Sequence, residues 1–286
     1  MDLINKSELI KYLKQNELWA KKSLGQNFLV DKEALNKIVV AAELKKTDTV
    51  IEIGPGLGVL TQELTKHAGE VIAIEKDDEL AKKLNVRCQM ANVKNIEILN
   101  QDILESDLTK LIKLAPNKAS YKLVANIPYY ITSKILEKFL AAENKPELIV
   151  LLVQKEVAER ICAEPGNTSV LSISVQYYGE PEIVGIVKST SFWPQPKVDS
   201  AILKISNVRC QMSDVNEADL FKIVRAGFRS RRKTLVNNLM SGTNLSREEL
   251  FDILDKTGLD KNVRAQELSV EKWVKLCQML DVICQM

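Results

Sequence analysis

The sequence predicts an α/β fold, a mostly parallel sheet covered by helices on both faces, followed by a small all-helical domain. Three observations predict it. From Thr47 to Gln154, near-continuous runs of Val, Ile and Leu alternate with helix-patterned segments, as expected of strands buried on both faces. Three glycines, Gly54, Gly56 and Gly58, fall directly between the first such run and the first helix, where an open parallel sheet takes a ligand. After about Ser206 the strand-like runs stop and only helix-period segments remain.

Taken in order, TDTVIEIG reads as a buried strand, GVLTQELTKHA as a helix, EVIAIEKD as a second strand and DELAKKL as a second helix. NIEILNQD is a third strand and KLVAN a fourth, which must end by Asn126 because Pro128 cannot donate to a ladder and fixes its own φ. A helix is expected from Ser133 to Ala142, with Ser133 as its cap, and LIVLLVQ (148–154) supplies a fifth strand. TSVLSISVQYYG fits either period and is assigned to a helix. EIVGIVK and KVDSAILKIS are expected to close the sheet as an antiparallel pair joined through FWPQP. EADLFKIVRAGF, SRRKTLVNNLM, SREELFDILDKTG and SVEKWVKLCQML are then helices. The expected domains are 1–206 and 207–286. NVRCQM occurs at 85–90 and 207–212, and CQM recurs at 277–279 and 284–286; nothing physical explains these copies.

The composition narrows the chemistry. A chain of 286 residues with 45% hydrophobic and 27% charged residues is that of an ordinary globular protein. No apolar run is long enough to span a bilayer, and MDLINKSELIKYLKQ has no secretory apolar core, so a cytoplasmic address and no membrane partner are expected. Five cysteines without a CxxC pair and a single histidine, His67, support neither a disulfide framework nor a metal site. One histidine also argues against His-based acid/base chemistry. The net charge of +2 does not by itself imply nucleic acid; its distribution says more. Lys21-Lys22 adjoins SLGQNF, and RAGFRSRRKTL places Arg225, Arg229 and Arg232 at helical spacing i, i+4 and i+7. On one helix face they are either a solvated stripe or a contact for RNA phosphates.

The glycine turn lies before a helix N-terminus, so backbone and free N–H groups can approach a ligand there. Its spacing is GxGxG, not the GxGxxG of dinucleotide sites, with Val59 where the third glycine would be. Glu75 ends the second strand about 20 residues on, where an acid can take both hydroxyls of a ribose. Asp102 follows the third strand and Asn126 ends the fourth. S-adenosylmethionine fits this layout better than a dinucleotide: it has a ribose and adenine but no pyrophosphate, and Glu52 before the glycines favours a positive charge over a phosphate. The expected fold class is a Rossmann-like S-adenosylmethionine-dependent methyltransferase domain with an all-α C-terminal domain.

Asn126-Ile127-Pro128-Tyr129 reads as the reactive part. An adenine amine is a poor nucleophile because its lone pair is delocalised into the ring. Acceptance of its N–H bonds by the Asn126 side-chain oxygen and the Pro128 carbonyl would turn the lone pair outward, and Tyr129 would stack on the base for ~1 to 3 kcal/mol.

SLGQNFLVD (23–31), EIGPGLGVLT (52–61), AIEKD, NQDIL, NIPYYITS, QKEVAERI, FWPQPKVDSAIL (192–203) and RAGFRSRRKTLVNNL (225–239) together resemble the small-subunit ribosomal RNA adenine N6,N6-dimethyltransferases, in the family's order. The resemblance implies methylation of two neighbouring adenines in the 3′-terminal hairpin loop. It further implies that Asn27, Leu29, Gly54, Glu75, Asp102 and Asn126 line the methyl-donor site, that Phe192 with Tyr129 sandwiches the target adenine, and that the helical domain and its arginines hold RNA. The expected partner is small-subunit ribosomal RNA in an immature small ribosomal subunit, met by a monomer. Related methylases of large-subunit RNA share NIPY and QNF, whereas GPGLG and RSRRKTLVNNL lie closer to the small-subunit branch. Two further readings, a non-catalytic ribosome assembly factor and a nucleotide-dependent oxidoreductase, remain open at this point.

Overall fold

The computed structural model describes residues 2–113, 120–208, 215–243 and 245–284. The chain divides into two compact units, Met1–Ala158 with Glu180–Cys210, and Glu159–Gly179 with Gln211–Met286.

The first unit opens with α1 (Lys6–Gln15), a two-residue strand β1 (Phe28–Leu29) and α2 (Lys32–Ala41). Then come β2 (Thr49–Ile53), α3 (Val59–His67), β3 (Glu70–Glu75), α4 (Asp78–Met90), β4 (Ile96–Asn100), α5 (Leu108–Lys113), β5 (Lys122–Asn126), α6 (Thr132–Leu140), β6 (Leu148–Gln154) and α7 (Lys155–Ile161), which runs into the second unit. α8 (Val170–Tyr178) belongs to that second unit, and the chain returns to the first with β7 (Glu180–Val187), β8 (Phe192–Trp193) and β9 (Ser200–Ser206).

Seven strands form one sheet in the order β4-β3-β2-β5-β6-β9-β7. The first five are parallel, and β9 joins β6 and β7 antiparallel. Every residue of β2 is buried, as are the first six of β6, which is why their sequences are continuous apolar runs without alternation. Strand order reverses between β2 and β5, so the crevice beyond their carboxyl ends is the expected ligand site of such a sheet. At the opposite end of β5, Lys122 is only 5% exposed, yet its Nζ reaches Asp48 Oδ2 at 2.9 Å and the carbonyls of Ala42 and Glu43. A buried ammonium is tolerated there because every donor finds an oxygen.

β1 and β8 make a separate two-stranded ladder, Phe28 opposite Trp193 and Leu29 opposite Phe192. Asp31 continues this link: its side chain caps α2 by accepting from Glu33 and Ala34 N–H, and also accepts from Ser191 Oγ at 2.6 Å. The QNF segment and FWPQP, 160 residues apart, are thus fixed to each other. Helices α1 and α2, each ten residues, are not among the expected elements, and α5, α7, β1 and β8 are brief or lie within motifs read for chemistry. The expected cap of α6 differs as well: the helix starts at Thr132, after a turn over Tyr129–Ile131, and Thr132 Oγ1 donates to the Tyr129 carbonyl.

In the second unit, α8 packs with α9 (Glu217–Gly227), α10 (Leu235–Met240), α11 (Arg247–Thr257) and α12 (Val270–Cys284). The boundary at 206/207 therefore needs a correction, since 159–179 goes with the C-terminal helices. The reason is specific contacts: Gly166 N–H and Thr168 Oγ1 donate to the Gln266 carbonyl, Tyr178 hydroxyl donates to Glu217, and the rings of Tyr177 and Tyr178 pack on Phe221. A second correction concerns SRRKTLVNNLM, which is helical only from Leu235. Helix α9 stops at Gly227, where a Cβ would stand 2.4 Å from Trp273, and Asn238 Nδ2 then donates to the carbonyls of Gly227 and Ser230. Of the repeated segments, 85–90 lies in α4, while most of 207–212 and the end of 284–286 lie outside the described residues.

Candidate active site at the carboxyl edge of the sheet

The glycine turn after β2 depends on backbone that only glycine adopts readily: φ is +65° at Gly54, +57° at Gly56 and +80° at Gly58. A Cβ at Gly54 would meet only the Asn126 carbonyl oxygen, at 4.0 Å, so any side chain there would project into the cavity. That cavity is lined by Asn27, Leu29, Gly54, Glu75, Asp102, Asn126, Pro128 and Tyr129, so the strand ends bring these sequence-predicted residues together.

Each polar group is oriented by the backbone around it. Glu75 is 6% exposed; its Oε2 accepts from Gly56 N–H at 2.9 Å and its Oε1 from Asp77 N–H at 2.8 Å. Burial raises its carboxyl above the usual carboxylate range, while the Asp77 and Gly56 N–H groups act against the rise. Burial would also raise Asp102, but the 2.7 Å bond from Lys76 Nζ and the bond from Leu104 N–H outweigh it and hold Asp102 low. Asn126 Nδ2 donates to the Asn27 carbonyl at 3.3 Å, and Asn27 Nδ2 in turn donates to the Gly25 carbonyl. This orients the Asn126 amide and leaves its Oδ1 available as an acceptor, beside the second N–H of Nδ2. The Pro128 carbonyl accepts one bond, from Ile131 N–H at 3.2 Å, which leaves its second lone pair.

The two tyrosines differ. Tyr129 is half-buried, its hydroxyl 2.6 Å from Ser200 Oγ, so its ring is held at the cavity wall. Tyr130, its neighbour, is 61% exposed and also lines the cavity, and its ring lies so near Gly25 that a Cβ there would come within 3.3 Å. Phe192 corrects the expected sandwich. It is 1% exposed and packs in the core cluster with Leu29, Ile38 and Ile202; Leu29 and Ile38 line the cavity, whereas Phe192 does not. The β1–β8 register accounts for this, because successive strand residues face opposite ways and Phe192 takes the inward side while Trp193 packs with Phe28 and Leu57.

Arg225, Arg229 and Arg232 do not share a helix face. Arg225 is in the last turn of α9, Arg229 follows its end and donates to the Ser241 carbonyl, and Arg231, Arg232 and Lys233 sit exposed in the turn before α10. The cations form a cluster around a helix C-terminus, not a stripe.

One residue escaped the sequence reading. Asp77, 3% exposed, accepts from Lys21 Nζ at 2.9 Å, Gln26 Nε2 at 2.9 Å and Glu79 N–H, while its own N–H holds Glu75. It ties the Lys21–Gln26 segment to Glu75 and caps α4. Its position directly before a helix-forming DEL was the available signal. Among the described residues no group of three His, Cys, Asp or Glu is placed to hold a metal, and no described helix is long and apolar enough to cross a membrane.

Comparison with known proteins agrees with this geometry. The family described as "Ribosomal RNA adenine dimethylase" matches residues 18–281. "Ribosomal RNA small subunit methyltransferase A" of Dehalococcoides mccartyi (strain ATCC BAA-2266 / KCTC 15142 / 195) is 48% identical over 91% of this chain and 88% of its own. The protein of the same description from Clostridioides difficile (strain 630) is 42% identical over 91% of this chain and 90% of its own. Among solved structures, a dimethyladenosine transferase from Plasmodium falciparum aligns with TM-score 0.76 and 28% identity, covering 89% of this chain and 98% of that one. The 23S rRNA methyltransferase ErmE aligns with TM-score 0.71 and 30% identity over 89% of this chain and all of that one, 100%. With strand-end glycines, two oriented acids and an amide beside a proline carbonyl in one cavity, and with these matches over most of its length, the chain belongs to the ribosomal RNA adenine dimethylase family.

Proposed function

We propose that the chain transfers methyl groups from S-adenosylmethionine to N6 of two neighbouring adenines in the 3′-terminal hairpin loop of small-subunit ribosomal RNA, on an immature small ribosomal subunit. The observation that carries this reading is the pairing of two fixed acceptors, Asn126 Oδ1 and the Pro128 carbonyl, with the donor-type pocket of Gly54, Glu75 and Asp102 in the same cavity.

The residues present fit the methyl donor. Glu75 would take ribose hydroxyls, Asp102 the adenine edge, and the positive-φ glycines let the backbone approach without a Cβ. Bound there, S-adenosylmethionine supplies an electrophilic methyl group on a sulfonium, so no base is needed before transfer.

On the acceptor side, Asn126 Oδ1 and the free lone pair of Pro128 O each take an N–H of the adenine amine and turn its lone pair out of conjugation. Tyr129, anchored through Ser200, supplies a rigid face for the base, and the proton lost after transfer goes to solvent. After the first methylation only one N–H remains, so one acceptor suffices for the second. Phe192 stays in the core in this reading, and Tyr130 supplies the exposed aromatic surface at the cavity mouth. The cluster of Arg225, Arg229, Arg231 and Arg232 would contact RNA phosphates by charge.

Incubation with labelled S-adenosylmethionine and small subunits lacking the modification should place label in N6,N6-dimethyladenosine of the small-subunit RNA. Label confined to large-subunit RNA would instead assign the chain to the ErmE-like chemistry. Binding of subunits without any transfer would reduce the chain to an assembly factor.

A further inference from the structure

Glu52 is not used by the reaction as described, and its environment is unusual. It sits in the fully buried strand β2, 1% exposed, two residues before the glycine turn, and it lines the cavity. Its Oε2 has no hydrogen-bond partner, and the Thr61 hydroxyl from α3, though near, stops short of bonding geometry. The other titratable groups that sense it are Glu75 from β3 and Cys88 from α4, and neither can supply a positive charge. An ionised carboxylate so placed would carry an uncompensated buried charge, which proteins avoid by protonation or pairing.

We propose that Glu52 holds a proton while the donor site is empty and releases it to solvent when the positively charged methyl donor enters, so that donor binding is coupled to proton release. This rests on the reading that the cavity binds S-adenosylmethionine. That donor has net charge +1, from sulfonium and ammonium against one carboxylate, whereas the demethylated product, with a neutral thioether, has none. Glu52 therefore answers the charge that distinguishes donor from product. On transfer the methyl leaves with the positive charge to the adenine nitrogen, that nitrogen loses a proton to solvent, and Glu52 recovers one, which loosens the product.

Burial pushes Glu52 up to about 8, with Thr61 acting against the rise and Glu75 adding to it, so the group is largely protonated at pH 7. Calorimetric titration of the full-length protein with S-adenosylmethionine at pH 7, in two buffers of different ionisation enthalpy, reads the protons released. The expected value is close to one per donor bound for the wild type, near zero for Glu52→Gln, and clearly smaller for S-adenosylhomocysteine. Donor affinity of the wild type should tighten by up to about tenfold from pH 6 to 7, below the ~7.7–8.0 range of an α-amine, and that of Glu52→Gln should stay flat. Donor binding without proton release, or equal release with S-adenosylhomocysteine, overturns the proposal while leaving the donor site intact. Absence of any donor binding by the wild type overturns the reading of the site itself.

Discussion

The carboxyl edge of the sheet and the arginine turn after α9 present polar groups in two different ways. At the sheet edge every side chain that matters is held by something else: Glu75 by two backbone N–H groups, Asn126 by Asn27, Tyr129 by Ser200 and Asp102 by Lys76. Around residues 225–233 the cations stand exposed on a helix end and a turn, where the Arg229 guanidinium donates to the Ser241 carbonyl. The difference matches the two tasks proposed for them. Turning an amine's lone pair towards a methyl group demands placement within a fraction of an ångström, so the groups are braced. Attraction of phosphates depends on charge density and tolerates loose geometry.

The comparison breaks most easily at Asn126. Asn126→Ala removes a braced acceptor, and methylation should fall about a hundredfold or more, as when a fixed polar group at a reacting centre is deleted, while subunit binding persists; unchanged turnover would remove Asn126 from the chemistry. Next in size is Asp77→Ala, which removes the acceptor shared by Lys21 and Gln26, leaves Lys21 only its pair with Glu79, and uncaps α4. We expect the KM for S-adenosylmethionine to rise about tenfold, with the N-terminal segment more open to proteolysis and about 1 kcal/mol of stability lost with the cap. A loss of stability with an unaltered KM would make Asp77 a helix cap only.

On the looser side, Arg229→Glu with Arg232→Glu should weaken RNA binding and reduce the salt slope by about 2, one per phosphate contact, without changing turnover at saturating RNA. A folded double variant with the parent's salt slope would return the cluster to helix-end solvation. The smallest effect separates the tyrosines. Tyr129→Phe loses the bond to Ser200, about 1 kcal/mol of bracing that should appear in kcat. Tyr130→Ala should instead raise the KM for RNA, and the reverse pattern would exchange their roles.

The braced region was also the legible one. A parallel strand ends where proline follows, and a tight run of positive-φ positions favours glycine, so Gly54, Glu75, Asp102 and Asn126 can be placed at one edge from spacing. The arginine turn was misread for a physical reason. RAGFRSRRKTL has helical spacing throughout, and what stops the helix is tertiary: Trp273 over Gly227 and the Asn238 side chain capturing the Gly227 and Ser230 carbonyls. The place of Phe192 in an adenine sandwich is implied by the family resemblance alone; its strand face is set by the pairing with Leu29, 163 positions away in sequence. Asp77 was visible only as a helix start, since its ties to Lys21 and Gln26 depend on the fold.

The central claim is that the braced edge methylates adenine N6 twice. Mass analysis of nucleosides, with their positions, from small-subunit RNA treated with the protein and S-adenosylmethionine tests it most directly. Two adjacent N6,N6-dimethyladenosines in the 3′-terminal hairpin loop are the predicted result. Modification at a non-adenine base, or at large-subunit RNA alone, would contradict it.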